Sequence, residues 1–366
     1  MMNRYYYIDD EVDTIKSIAE GINVYNIVNV DVFPLSTYKE FDKLTEQLRK
    51  EWNDFDGLIL DLKLDGGGVD STKFTATSLT QWISSYIIAE NKPAKPVFLL
   101  SNDLQCANFE ADITSHDLFD MVMERNGDLN WQRLAVILDI LADDYKKLND
   151  DKEKYLKTLL KNDELDTGAT YFAPFLNRAT FNVRRFASFI LSDLFMHPGL
   201  LISENLLAAR YGVDKEKSGK AWHDFKVKYL GVARYRGLFG RMLELYWSKK
   251  TQEVFMGLSD GRSAASMTTI QRVKVLNDKV EGPYELIAYK PADENASTYC
   301  WSIDEVTGKP LDSTEGYMIQ EEGGLKSWQE PRFLSFDTIE SGNKGGYTLV
   351  PSERVRYEED LASLEE

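Results

Sequence analysis

The chain has 366 residues, 43% hydrophobic and 28% charged, enough for about two or three domain-sized cores and too apolar for a disordered or collagen-like protein. Its formal net charge of −17 excludes a protein that coats nucleic acid with its whole surface. No stretch reaches the roughly 18 uninterrupted apolar residues of a membrane span; the first residues run into acids where a secretory signal would be apolar, and Cys106 and Cys300 offer neither a disulfide framework nor zinc spacing, so the cytoplasm is the expected compartment.

Over residues 1–148 short apolar runs alternate with helical patterns, which predicts βα units around a parallel sheet. Five strands are expected, at Arg4 to Asp9, Ile27 to Phe33, Gly57 to Asp61, Pro96 to Ser101 and Phe119 to Glu124, each apolar enough to be covered on both faces. Apolar residues at three- and four-residue spacing predict helices over Val12 to Glu20, Thr37 to Trp52 and Ser78 to Ala89, and a short one over Asp103 to Ser115. A further stripe runs from Trp131 to Ala142 and ends in the charged tail Asp143 to Lys154. Residues 149–170 read as a charged connector.

Residues 171–366 form the expected C-terminal domain, mainly helical over 171–267 and β-rich over 268–357. Ile270 to Val275, Tyr284 to Tyr289, Thr298 to Ile303 and Gly346 to Val350 are the β-patterned segments, and Glu358 to Glu366 reads as a frayed helix. Charge is segregated along the chain. Residues 1–130 carry a balance of −12 and residues 251–366 one of −11, whereas residues 171–250 carry +8. Such a basic block calls for an acidic partner surface, inside the chain or outside it.

In an open parallel sheet, chemistry collects beyond the carboxyl ends of the strands. The acids lie there: the first strand runs into Asp9-Asp10-Glu11, the third ends Leu58-Ile59-Leu60-Asp61, and the fourth ends in the hydroxyl of Ser101. Carboxylates gathered at one crevice repel each other and call for a hard divalent cation, Mg²⁺. A carboxylate beside that ion is a competent phosphoryl acceptor.

These residues, in this order, resemble the receiver domain of bacterial two-component response regulators over residues 1–148. The resemblance implies a flavodoxin-like five-stranded parallel sheet, with Asp61 as phosphoacceptor and Ser101 as the hydroxyl that bonds the phosphoryl group. It further implies Asp10 as a direct Mg²⁺ ligand, Asp9 as a ligand through water, and Lys63 as a main-chain carbonyl ligand. A sensor histidine kinase or phosphotransfer protein would be the donor. One position departs from the pattern. Glu124 stands where receivers carry a lysine after the fifth strand, and Met121 where they carry an aromatic residue; Arg125 is one residue away and would replace the lysine only through a shift or bulge, since neighbouring strand residues face opposite ways.

Plainer roles exist for each feature. Acids at a helix start complement its dipole, and Ser101-Asn102-Asp103 also reads as a helix cap. A dehalogenase-like phosphatase would want an aspartate two residues after Asp61, where Lys63 stands, and His116, His197 and His223 lack metal spacing. Residues Ser203 to Asp214 look like the first helix and turn of a helix-turn-helix, but Ser218-Gly219-Lys220-Ala221 is too polar to begin a recognition helix. The basic face with Arg184, Arg185, Arg234, Arg236 and Arg241 is therefore expected to meet protein, not nucleic acid. No catalytic constellation follows residue 150, so the expectation is a non-enzymatic signalling protein acting as relay, phosphate sink or regulator. That layout is similar to receiver proteins of antiphage two-component systems of the Detocs type. The alternatives are a pseudo-receiver scaffold that binds without phosphorylation, and a DNA-binding response regulator.

Overall fold

The computed structural model describes all residues except 1, 39, 65–73, 103–117, 126–128, 151–155, 178–180, 280–284, 322 and 366. The Asp65-Gly66-Gly67-Gly68 loop, the expected helix over 103–115, Cys106 and His116 lie outside the described residues. The chain divides into two compact units, one of Met1–Asp193 with Gly237–Met242, the other of Leu194–Arg236 with Leu243–Glu366.

The first unit contains β1 (Asn3–Ile8), α1 (Val12–Asn23), β2 (Val28–Val32), α2 (Phe41–Lys50), β3 (Gly57–Leu60), α3 (Ala76–Ala89), β4 (Val97–Ser101), β5 (Met121–Glu124) and α4 (Trp131–Asp150). Every neighbouring pair in the sheet is parallel, and the strand order is β2-β1-β3-β4-β5. This is the flavodoxin-like order, whose switch point falls between β1 and β3. The five strands sit within one or two residues of their expected places. α2 starts later than the pattern predicts, because a 3₁₀ turn over Leu35–Thr37 first buries Leu35.

Alternation along β1 supplies both faces of the sheet. Tyr6 and Ile8 join Leu44, Leu48, Trp52, Leu79 and Ile83 in a core beneath α2 and α3, while the Tyr5 hydroxyl donates to the Leu138 carbonyl of α4 at 2.6 Å on the other side. Gly57 is required by that packing: a Cβ there would lie 2.2 Å from the Tyr5 ring.

The unit continues well beyond residue 148. Under its charged surface α4 still buries Asp144, Tyr145 and Leu148, and α5 (Leu156–Leu160) buries three leucines. The described part of the 149–170 segment is therefore packed chain, not a solvated connector; the helical stripe persists beneath the charges that mask it. α6 (Val183–Ser188) starts at Asn182, whose side chain accepts the Arg185 N–H at 3.0 Å. From α6, Arg184 donates to the Leu118 carbonyl at 2.7 Å and lies 3.9 Å from the Asp120 carboxylate. Arg241 pairs with Asp143 at 3.0 Å. Two arginines of the basic block thus meet acids of their own unit, whereas Arg234 and Arg236 are exposed.

In the second unit, β6 (Leu201–Ser203) and β7 (Leu245–Trp247) pair antiparallel. Ser203 caps α7 (Glu204–Tyr211), which ends at Gly212 with φ +72°. A Cβ on Gly212 would stand 2.7 Å from the Thr269 Cα, so this turn is packed against the chain. The next helix is broken at Gly219, φ +44°, before α8 (Lys220–Phe225). The segment Ile270 to Val275, expected as a strand, is instead part of the helix α10, preceded by α9 (Ser248–Leu258) and spanning Thr269–Lys279. Its buried residues Thr269, Arg272, Val273 and Leu276 follow helical spacing, and the stripe is hidden in the sequence because one member is an arginine. Short pairs follow, β8 (Ser302–Ile303) with β9 (Pro310–Leu311) and β10 (Tyr317–Met318) with β11 (Phe333–Leu334), and then the helix α11 (Pro351–Glu365). No helix among the described residues is long and apolar enough to cross a membrane.

Candidate functional site

The parallel register decides which side chains meet. Ile8 pairs with Leu60 at the ends of β1 and β3, so the residues that follow, Asp9 and Asp61, emerge side by side, and the Asp61 N–H donates to the Ile8 carbonyl at 3.2 Å. Carboxylate oxygens of Asp9, Asp10 and Asp61 lie within 4.8 Å of one another. Asp9 and Asp61 are buried, and Asp10 is the more open to solvent. At the end of β4 the buried Ser101 hydroxyl donates to Asp61 Oδ1 at 3.0 Å, while the Lys63 main-chain N–H donates to Oδ2 at 3.0 Å. Asp9 Oδ1 accepts the Glu11 N–H at 2.7 Å.

The position after β5 is where the sequence departs from the receiver pattern. β5 ends at Glu124, which pairs with Ser101 in the ladder. Arg125 follows the last strand residue, in a register that runs without a bulge. Its Nη1 lies 3.2 Å from Asp9 Oδ2 and its Nη2 3.6 Å from Glu11. Among the described ion pairs, the cation on this cluster is Arg125.

The electrostatics follow from burial and crowding. Loss of water pushes the Asp9 carboxyl up to about 7, with Asp61 and Asp10 adding to the rise and the Glu11 N–H and Arg125 opposing it. Asp61 is raised for the same first reason, against the bonds from Lys63 and Ser101. Tyr7, two residues before Asp9 on the same face of β1, was not singled out in the sequence. Its buried hydroxyl stands beside Asp9 and Arg125 without a hydrogen bond of full geometry among the described residues, and burial followed by the Asp9 charge raises its proton affinity. Alternation from Asp9 would have found it.

No protein-family model matches the chain, and no curated protein does either. Similar solved structures include the CheY-like response regulator receiver domain protein from Methanospirillum hungatei JF-1, at 13% identity, covering 40% of this chain and 98% of that one with a TM-score of 0.27. The phosphorylated cyanobacterial phytochrome response regulator RcpA is similar at 16% identity over 40% of this chain and 95% of its own, TM-score 0.27. The chemotaxis response regulator CheY4 of Vibrio cholerae is similar at 11% identity over 36% and 92%, TM-score 0.25. The deciding feature is the strand order with its parallel register. The first unit has the flavodoxin-like fold.

A flavodoxin-like sheet with three acids at its switch point presents oxygen donors only, the set a hard divalent ion prefers. Asp9, Asp10 and Asp61 fit such an ion, because two are buried and all three offer oxygens within 4.8 Å of one another, about the span of one coordination sphere. The second unit holds a separate buried network. Arg332 donates to both Glu321 oxygens, at 2.7 and 2.8 Å, and His197 lies 3.3 Å from the same carboxylate. Burial alone would raise Glu321, but these partners outweigh it and hold the carboxyl at about 2.

Proposed function

We propose that the receiver-like unit accepts a phosphoryl group on Asp61 from the phosphohistidine of a sensor histidine kinase or phosphotransfer protein, and that the chain serves as a relay, phosphate sink or regulator. The observation that carries this reading is Asp61 at the end of β3, crowded by Asp9 and Asp10 and bonded by Ser101 Oγ. In the transfer an Asp61 oxygen attacks phosphorus, the phosphorus–nitrogen bond of the donor breaks, and the imidazole leaves as a neutral ring after taking a proton. Ser101 and the Lys63 N–H orient the carboxylate, and burial limits competing water. Asp9, Asp10, Asp61 and the Lys63 carbonyl would hold Mg²⁺, which screens the phosphoryl oxygens when bound. In this reading Arg125 does the electrostatic work that Glu124 cannot. The exposed Arg234 and Arg236 of the second unit are offered to a protein partner.

The test is intact mass after incubation with acetyl phosphate and Mg²⁺. A gain of one phosphoryl group in the wild type, absent in Asp61→Asn, supports the reading. No gain favours the pseudo-receiver scaffold, for which the Arg125–Asp9 pair is the supporting observation, since a fixed cation on the cluster is what a site that binds no metal would keep.

A further inference from the structure

We infer that Arg125 is a tethered counter-ion which competes with a divalent cation for Asp9, so that metal binding at the site is coupled to the main chain at the end of β5. The inference rests on the metal site proposed above and concerns its regulation. The Arg125 N–H donates to the Ser101 carbonyl, so its backbone is pinned to the end of β4, and the side chain alone spans the crevice to Asp9 and Glu11. The guanidinium side chain is 16% exposed and Asp9 only 1%, so the pair is largely shielded from water and salt. Asp9 Oδ1 accepts the Glu11 N–H, and Oδ2 is the atom Arg125 holds, so each oxygen of the carboxylate already has a donor on it.

A guanidinium and a divalent ion gathered on one carboxylate repel each other, so each weakens the other's hold on Asp9. The Tyr7 hydroxyl is a second sign that the cluster is incomplete with the arginine in place: it is fully buried against the same guanidinium, and among the described residues it forms no hydrogen bond of full geometry. Displacement of Arg125 carries consequences for Ser101 and Glu124, because its backbone is bonded to one and follows the other. By reciprocity, whatever holds Arg125 on Asp9 weakens metal binding by the same factor that metal loosens Arg125.

Calorimetric titration of the full chain with Mg²⁺ alone tests this. Arg125→Met, which keeps bulk and removes charge, should bind Mg²⁺ roughly tenfold more tightly than the wild type, within the usual range of coupling between linked sites. Arg125→Lys should stay near the wild type. In the wild type, Mg²⁺ should also increase hydrogen exchange at residues 124 and 125, a readout that needs no variant to fold. Equal or weaker Mg²⁺ binding by a folded Arg125→Met, or unchanged exchange at 124 and 125 on saturation, overturns the inference and leaves the metal site standing. Absence of Mg²⁺ binding in all three proteins overturns the metal site itself and this inference with it.

Discussion

Replacing Arg184 with alanine should destabilise the first unit far more than its place on a short helix suggests. Arg184 Nη2 donates to the Leu118 carbonyl and lies 3.9 Å from Asp120, whose side chain is 2% exposed. Asp120 also accepts the Val97 N–H at 2.7 Å and the Tyr145 hydroxyl, so it knits β4 to α4. Among the described ion pairs Arg184 is its one cation. Breaking a buried pair from one side costs about 3–5 kcal/mol; with two hydrogen bonds retained and a long charge separation, a loss of about 2–3 kcal/mol is expected. Native-state hydrogen exchange at residues 97–101 and 131–150 reads that loss in the first unit alone. The deficit should narrow on acidification. Burial raises the Asp120 carboxyl and Arg184 lowers it; without the arginine the folded state binds the proton still more tightly than the unfolded chain, so stability is recovered as pH falls toward the folded value. A loss under about 0.5 kcal/mol, or one that grows on acidification, would refute the reasoning and with it the assignment of α6 to this unit.

Gly212→Ala should cost about 3 kcal/mol, since it adds both a left-handed backbone penalty and a Cβ within 2.7 Å of Thr269 Cα, and thermal unfolding of the second unit reads it. Glu321→Gln should lose about 2–3 kcal/mol at pH 7, from a carboxyl held at about 2 against an ordinary 4.5. Because that folded value is depressed, the wild-type advantage is complete above the unfolded value and vanishes as pH falls through about 2, so urea midpoints of the two proteins should converge toward acid pH.

The sheet was legible because each of its strands is a short apolar run between polar breaks, and because acids at the ends of β1 and β3 cannot be buried unpaired. Legibility failed where charged side chains lie inside. Arg272 is fully buried and donates to the Ala264, Ala209 and Cys300 carbonyls, which breaks the apolar stripe of α10 and leaves its β-branched residues reading as a strand. Asp144 hides the continuation of α4 in the same way: its carboxylate accepts the Phe239 N–H at 2.5 Å, from the Gly237–Met242 segment almost a hundred positions later. At the site, composition showed a cation near the end of β5, but only the register shows that the strand stops at Glu124 and lets Arg125 reach Asp9.

Borohydride reduction after phosphorylation reports directly on the Asp61 carboxylate, because an aspartyl phosphate is reduced to homoserine whereas a free carboxylate is untouched. Treated with acetyl phosphate and Mg²⁺, then reduced and digested, the protein should yield homoserine at position 61 and nowhere else. Homoserine at Asp9 or Asp10, or an unmodified peptide spanning Asp61, would contradict the account.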